Sequence, residues 1–171
     1  CKRHGLPDTL VVEEIADPVP GPGEVIVTMK AAGVTFPDVL IIQGKYQSRP
    51  ELPFAPGAEF AGVVAALGEG VRNVKIGDRV MGSTGHGAFA EKVCVSAKKL
   101  IPIPDAMDFD IAAAFTLTYG TSWHALKDRG ELKAGETLLV LGAAGGVGLA
   151  AIEIGKVLGA RVIAAASSPE K

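Results

Sequence analysis

A glycine-rich turn between an apolar strand and an amphipathic helix is the part of the sequence best suited to chemistry. TLLVL is followed by GAAGGVG, by LAAIEIGKVLGA and by RVIAAA. Free backbone N–H groups and the helix dipole favour an anion at such a helix N terminus, provided that no Cβ blocks its approach. Gly145 and Gly146 meet that requirement, and Gly148 permits close packing of the helix on the strand. The pattern predicts a pyrophosphate site formed by Ala144, Gly145, Gly146, Val147 and Gly148.

The turn departs at one position from the dinucleotide-binding fingerprint. Ala143 stands where the fingerprint has its first glycine, whereas Gly145 and Gly148 occupy the second and third places. The alternative is a tight strand-to-helix turn that binds nothing. We favour the ligand site, because the pattern lies between a predicted strand and a predicted helix at the expected spacing.

The second strand of this segment ends in Ser167 and Ser168, with Lys171 nearby. Sites that prefer NAD(H) usually offer a carboxylate to the adenosine ribose, and a carboxylate would repel a 2′-phosphate. Two hydroxyls and an ammonium group can bind that phosphate, although Glu170 adds a contrary charge. The strand end therefore predicts NADPH as the cofactor. The alternative is an ordinary solvated strand end.

The elements that position this turn form a strand–helix–strand unit. Its two strands must be parallel, since a helix joins them. Upstream, two Ala-rich stretches predict helices over Asp108–Thr116 and Gly120–Arg129, the second closed by Gly130.

The first hundred residues have a different composition and a different spacing of Gly and Pro. Segments rich in Gly and Pro divide them into short runs with many β-branched residues, which predicts a β-rich unit. The predicted strands are Leu10–Glu14, Glu24–Ala32, Phe60–Leu67, Asp78–Gly82 and Ala88–Val95. One helix is predicted among them, Pro37–Ile42, with Pro37 in its first turn.

Composition narrows the classes of function. The 171 residues carry 17 Lys and Arg against 19 Asp and Glu, and no basic stripe, so nucleic acid is a poor candidate partner. The longest uncharged run, Thr137 to Ile152, is too short and too rich in glycine to span a membrane. Only two cysteines are present, which excludes a disulfide framework and favours a reducing, cytoplasmic compartment.

Four ordered blocks of the sequence resemble the zinc-free quinone oxidoreductase branch, also called ζ-crystallin-like, of the medium-chain dehydrogenase/reductase superfamily. The blocks are AAGVTFPDVLIIQGKYQSRPELPFAPGAEFAGVV, IGDRVMG, TYGTSWHAL and LGAAGGVGLAAIEIGKVLGA. The resemblance implies a mixed β and α/β fold. A GroES-like β-domain would occupy residues 1–105. Interdomain helices and the first βαβ unit of a Rossmann domain would occupy 106–171, with the nucleotide in the cleft between the domains.

Relatives in this superfamily that use zinc have ligands at positions where this chain has Thr35, Ala58 and about Ala113. These residues cannot provide the thiolate and imidazole donors that catalytic zinc prefers. Glu59 remains, but one carboxylate does not make a site. The sequence therefore predicts chemistry without a metal.

The reaction that the resemblance implies is hydride transfer from NADPH to a small quinone or α,β-unsaturated carbonyl. Tyr46 would lie near the cofactor and act in catalysis, and Thr121 would contact the cofactor. Thr35 would be catalytic on the acceptor side, where many relatives have Asn. Two alternatives stay open: Tyr46 as a packed loop anchor, and the whole chain as a non-catalytic NADPH-binding or crystallin-like structural relative.

The predicted Rossmann unit is incomplete. A Rossmann domain has about six parallel strands, and this sequence reaches only the second before Lys171. The opening CKRHGLP has no initiator Met. We therefore expect these residues to be part of a chain roughly twice this length. By the resemblance, the other half would complete the cofactor pocket and provide a homodimer interface.

Overall fold

The structure is a computed structural model that describes residues 1–168. It divides into two compact units, residues 1–114 and Phe115 onward. No helix within the described residues is both long and apolar enough to cross a membrane.

The first unit is built on a five-stranded antiparallel sheet with the order β4-β1-β2-β3-β5. Its core consists of apolar side chains that alternate along the strands, among them Val25, Val27, Phe60, Val64 and Val80. The β-rich unit predicted from the turn spacing is confirmed. Its strands are β1 Glu24–Gly33, β2 Glu59–Leu67, β3 Arg79–Ser83, β4 Lys92–Ser96 and β5 Leu100–Pro102.

Short helices connect these strands. α1 spans Phe36–Ile42 and has Pro37 in its first turn, as predicted. α2 spans Phe109–Ala113, and 3-10 turns occupy Pro7–Thr9 and Ala97–Lys99.

The segment before α2 is held to the sheet by Arg79 on β3. The Arg79 guanidinium donates hydrogen bonds to the carbonyl oxygens of Asp105 at 2.6 Å and Met107 at 2.5 Å. It also lies 4.5 Å from the centroid of the Phe109 ring. These contacts explain why α2 belongs to the first compact unit. The domain boundary after residue 105 stays a prediction.

Two strand predictions in this unit need correction, and one strand has no counterpart among the predictions. Leu10–Glu14 is not a strand: no strand of the described residues pairs with it, and Val12 is fully exposed. β-branched residues favour a strand only when a neighbour pairs with it, and β1 already pairs on both sides with β2 and β4.

The last predicted strand, Ala88–Val95, begins later than expected, at Lys92. Ala88 and Phe89 instead donate backbone hydrogen bonds to the carbonyls of Gly57 and Pro56. β5 was not predicted, because it has only three residues and includes Pro102. Proline is confined to sheet edges and gives no strand signal.

The second unit contains a parallel strand pair crossed by one helix. β6 spans Thr137–Leu141 and β7 spans Arg161–Ala165, and they pair in parallel from Thr137 opposite Arg161 to Leu141 opposite Ala165. α4 joins them over Gly146–Val157. The predicted βαβ unit is therefore confirmed.

The helices before this unit differ from the prediction. The stretch predicted as Asp108–Thr116 is interrupted at Ala114, after which α3 spans Phe115–Trp123. The stretch predicted as Gly120–Arg129 lies partly in α3 and continues as a π-helical turn over His124–Arg129. The sequence predicts that the second helix begins at Gly120, but Gly120 lies inside α3 with open space around it. Gly130 ends the helix as predicted, donating to the Ala125 carbonyl at 2.8 Å.

α4 packs closely on one face of the strand pair. Ala150 and Ile154 are buried there. A Cβ on Gly155 would lie 2.7 Å from Leu138 Cδ2 and 3.1 Å from Val162 Cγ2, so only glycine fits without adjustment. The close approach of helix and strands thus depends on Gly155 as well as on the glycine turn.

Candidate functional site

The glycine turn places an uncapped helix N terminus at the end of β6. Gly142 has a φ of 65°, a left-handed conformation that suits glycine. Gly145 is the N-cap residue of α4, and no side chain in the described part of the chain caps this helix with a hydrogen bond. The first N–H groups of a helix have no partner within the helix. They are therefore suited to an anionic ligand.

The glycines of this turn have different roles. A Cβ on Gly148 would lie 2.5 Å from the Gly142 carbonyl oxygen and 2.9 Å from Ala143 Cα, so the turn crosses directly over this residue. A Cβ on Gly145 would meet only the Gly142 oxygen, at an ordinary 3.5 Å. The fold therefore requires glycine at 148, whereas at 145 it leaves space beside the helix end.

A surface groove of about 570 Å³ runs beside this turn and the end of β7. Ser167 and Ser168 line it, so the structure brings the predicted phosphate-binding hydroxyls next to the turn. The remaining lining is apolar and comprises Ala143, Leu149, Ile152, Ala164 and Ala166. Lys171, the third residue predicted for this phosphate, lies outside the described residues.

Helix α3 supports the turn from the side. Ser122 is only 1% exposed, and its hydroxyl donates a 2.8 Å hydrogen bond to the carbonyl oxygen of Val147. Thr118 lies one helical turn earlier, and its Cγ2 is 3.0 Å from where a Gly146 Cβ would be. The sequence analysis selected the neighbouring Thr121, which is exposed on α3, and missed these two residues. Their spacing of four was the available signal, because it places them on one helix face.

A second polar contact joins α3 to α4. The Tyr119 hydroxyl donates a 2.5 Å hydrogen bond to Glu153 Oε2, and the Tyr119 ring stacks on Phe115 with centroids 4.4 Å apart. The bond to the Glu153 carboxylate, with some desolvation, raises the pKa of Tyr119 above its ordinary 10.0. Tyr119 therefore stays protonated at neutral pH.

In the first unit, Thr35 lies between β1 and α1 and is bound to a buried carboxylate. The Thr35 hydroxyl donates to Asp38 Oδ2 at 2.7 Å, and the Thr35 N–H donates to the same oxygen at 2.8 Å. Asp38 is only 4% exposed, and its other oxygen, Oδ1, has no hydrogen-bond partner among residues 1–168. The hydroxyl that the sequence analysis placed on the acceptor side is thus already oriented by its neighbour.

Thr35 stands between two apolar residues in the sequence. Val34 and Phe36 are 78% and 73% exposed, although both are large apolar residues. Tyr46 is half-buried in the loop that follows α1, so Thr35 and Tyr46 lie before and after the same helix. These residues are therefore accessible to a ligand placed at the start of α1.

At the positions where the resemblance places zinc ligands in other branches, this chain has Thr35, Ala58 and about Ala113. Ala58 and Ala113 are buried methyl groups, and Glu59 is buried against Gly33. Within residues 1–168, no three His, Cys, Asp or Glu side chains are grouped so that they could hold a metal ion. Cys94 Sγ lies 3.4 Å from Glu24 Oε2, and desolvation together with this carboxylate raises the pKa of the Cys94 thiol.

Comparison with known proteins gives consistent results for both units. Residues 21–105 match the family of the alcohol dehydrogenase GroES-like domain. The chain is 45% identical over 163 residues to quinone oxidoreductase-like protein 2 of Bos taurus, covering 95% of this chain and 47% of that protein.

Two solved structures are similar to the whole chain. The human synaptic vesicle membrane protein VAT-1 homolog-like protein superimposes with a TM-score of 0.94 at 36% identity, over 98% of this chain and 54% of that one. The Escherichia coli quinone oxidoreductase complexed with NADPH gives 0.92 at 36% identity, over 99% and 52%. The chain spans about half the length of the relatives that it matches.

Proposed function

We propose that this chain, which belongs to the quinone oxidoreductase branch of the medium-chain dehydrogenase/reductase superfamily, forms part of an NADPH-dependent oxidoreductase. This enzyme transfers a hydride to a small quinone or α,β-unsaturated carbonyl and uses no zinc. One observation carries the proposal: Ala143, in the turn before the uncapped N terminus of α4, lines one groove together with Ser167 and Ser168.

The residues of the second unit fit NADPH. The N–H groups of Gly146 and its neighbours would hold the pyrophosphate, since neither a side-chain cap nor a Cβ on Gly145 stands in its way. Ser167 and Ser168 would hold the 2′-phosphate. The Escherichia coli relative with similar structure binds NADPH. When bound, NADPH supplies the hydride.

The residues of the first unit suit an acceptor that the protein must orient and shield from water. Val34 and Phe36 offer apolar surface to a flat ring, Thr35 offers a hydroxyl, and Tyr46 offers a phenol. Zinc independence is part of the proposal and is supported by the side chains at positions 35, 58 and 113, which are poor zinc ligands. The same proposal includes a domain boundary after residue 105 and contact of Thr121 with the cofactor. It also includes a homodimer and a cytoplasmic location.

The test is NADPH consumption by this polypeptide with a fully methylated benzoquinone and, separately, with a cyclic enone. Both assays contain excess chelator, and NADH is run in parallel. We expect turnover with NADPH that the chelator does not reduce, and a lower rate with NADH. Loss of all activity on chelation would contradict zinc independence. NADPH binding without turnover of either acceptor would instead support a non-catalytic relative.

A further inference from the structure

We propose that Asp38 is a positioning residue that makes Thr35 a hydrogen-bond acceptor toward a bound ligand. A site beside Thr35 then binds a ligand with an O–H donor, such as a hydroquinone, more tightly than a ligand with a carbonyl, such as a quinone. The inference rests on the proposed function, which places Thr35 on the acceptor side, and it goes further by assigning the direction of the hydrogen bond.

The Thr35 hydroxyl carries a single proton. A hydroxyl has one proton to donate and two lone pairs to accept with. The Thr35 proton points to Asp38 Oδ2 at 2.7 Å, within the range of a strong bond to a charged acceptor. The proton is therefore not available to a ligand.

The backbone fixes this direction. The Thr35 N–H, which can only donate, also contacts Asp38 Oδ2, at 2.8 Å. Oδ2 therefore accepts two bonds from Thr35, and the Thr35 hydroxyl donates inward. In the capping box of α1, the Thr35 oxygen faces the backbone N–H of Asp38. One lone pair of the Thr35 oxygen is then left for a ligand.

A ligand beside Thr35 then meets the remaining lone pair of the Thr35 oxygen. Thr35 is half-buried, and Val34 and Phe36, its neighbours in sequence, are both exposed. A carbonyl oxygen placed there would face another acceptor and find no donor in Thr35. A hydroxyl group would complete a hydrogen bond. In the proposed reaction, the reduced product is thus the form that Thr35 binds.

The experiment compares two ligands that differ only in this property, tetramethyl-1,4-benzoquinone and tetramethyl-1,4-hydroquinone, under anaerobic conditions. Full methylation prevents their addition to Cys1 and Cys94. Dissociation constants come from chemical-shift titrations of the isotope-labelled chain. We expect the hydroquinone to bind about three- to tenfold more tightly than the quinone, the range of one net hydrogen bond.

Variants identify the origin of this ratio. Thr35→Val, which has the same shape without the oxygen, should bring the ratio to about one, and Thr35→Ser should preserve it. Asp38→Ala should lower the ratio by freeing the Thr35 proton, while Asp38→Asn should retain it, since the amide oxygen can accept both bonds. A loss of folding would weaken both ligands equally, so the ratio separates positioning from stability.

Three results would overturn the inference: a wild-type ratio of one or below, an unchanged ratio in Thr35→Val, or binding of neither ligand. If Asp38→Ala does not fold, Thr35→Val and Thr35→Ser still test the inference through the ratio of the two dissociation constants. A parallel NADPH titration tests the proposed function separately. An intact ratio without NADPH binding would overturn that function alone, and NADPH binding without the ratio would overturn this inference alone.

Discussion

The Ser122 hydroxyl donates a 2.8 Å hydrogen bond to the Val147 carbonyl, joining the last turn of α3 to the first turn of α4. Val147 follows directly after Gly146, where the helix begins. The helix end that we propose to bind the pyrophosphate is therefore held in place by a buried side chain of another helix. This contact links the packing of the second unit to its candidate site.

Ser122→Ala removes this bond and leaves a small gap. We expect a loss of about 1 kcal/mol in the free energy of unfolding, the usual net value of one hydrogen bond. Urea denaturation measures it. Thr121→Ala is the matched control, because Thr121 is the exposed neighbour, and it should change stability by less than about 0.5 kcal/mol. Equal effects of the two variants would show that the bond contributes nothing.

Two glycines of the turn should respond differently to alanine. Gly148→Ala places a Cβ 2.5 Å from the Gly142 oxygen, so the backbone must move. We expect it to lower the free energy of unfolding by about 1–3 kcal/mol. Gly145→Ala meets only an ordinary contact at 3.5 Å and should cost less than about 1 kcal/mol. Yet it should weaken NADPH binding roughly tenfold, because its methyl group occupies the approach of the phosphate.

Calorimetric titration with NADPH and urea denaturation measure the two effects on the same samples. Gly120→Ala is the control, since open space surrounds this residue on α3. It should leave binding unchanged and stabilise the chain by about 0.5–1 kcal/mol. Unchanged NADPH affinity in Gly145→Ala would contradict the pyrophosphate site.

Ser168 tests the choice between NADPH and NADH. Ser168→Asp puts a carboxylate at the groove where we propose the 2′-phosphate. NADPH affinity should fall roughly tenfold through repulsion between the charges, while NADH affinity stays nearly constant. Ser168→Asn has a similar shape without the charge and should have a much smaller effect. If Asp and Asn behave alike, or if both cofactors weaken together, the 2′-phosphate does not lie at this strand end.

The bond between Tyr119 and Glu153 predicts a pH dependence. Because the pKa of Tyr119 is raised above 10.0, folding favours the protonated phenol. The stabilisation is complete below pH 10 and is lost as the pH rises through the higher folded-state pKa. Absorbance of the phenolate in Tyr46→Phe, which leaves Tyr119 as the single tyrosine, should show titration above 10.0.

In that background, Glu153→Gln should lower the pKa of Tyr119 toward its ordinary value, because the carboxylate is removed. Glu131→Gln, at an exposed position, is the matched control and should leave it unchanged. The same pKa in Glu153→Gln and its parent would contradict the carboxylate as the cause.

The sequence predicted best those features that backbone rules determine locally. The parallel pair and the turn at Gly145–Gly148 follow from glycine placement and apolar runs, which need no knowledge of distant residues. β1 and β2 were predicted within one residue of their bounds, because turn residues delimit their β-branched runs.

Features that depend on distant partners were not predictable. The run Leu10–Glu14 has strand composition, but no edge of the sheet pairs with it. Ser122 carries no sequence signal beyond its spacing from Thr118, since its role comes from a carbonyl 25 residues away. The Asp38 contact with Thr35 is local, but its burial is set by the packing of the whole first unit.

The most direct test of the central claim is a chemical-shift titration of the labelled chain with NADPH, repeated with NADH. The account predicts that NADPH shifts the amide signals of Gly145, Gly146, Gly148, Ser167 and Ser168, and that NADH shifts the two serines much less. Absence of shifts at the glycine turn, with the chain folded, would contradict the proposal that this turn binds the cofactor.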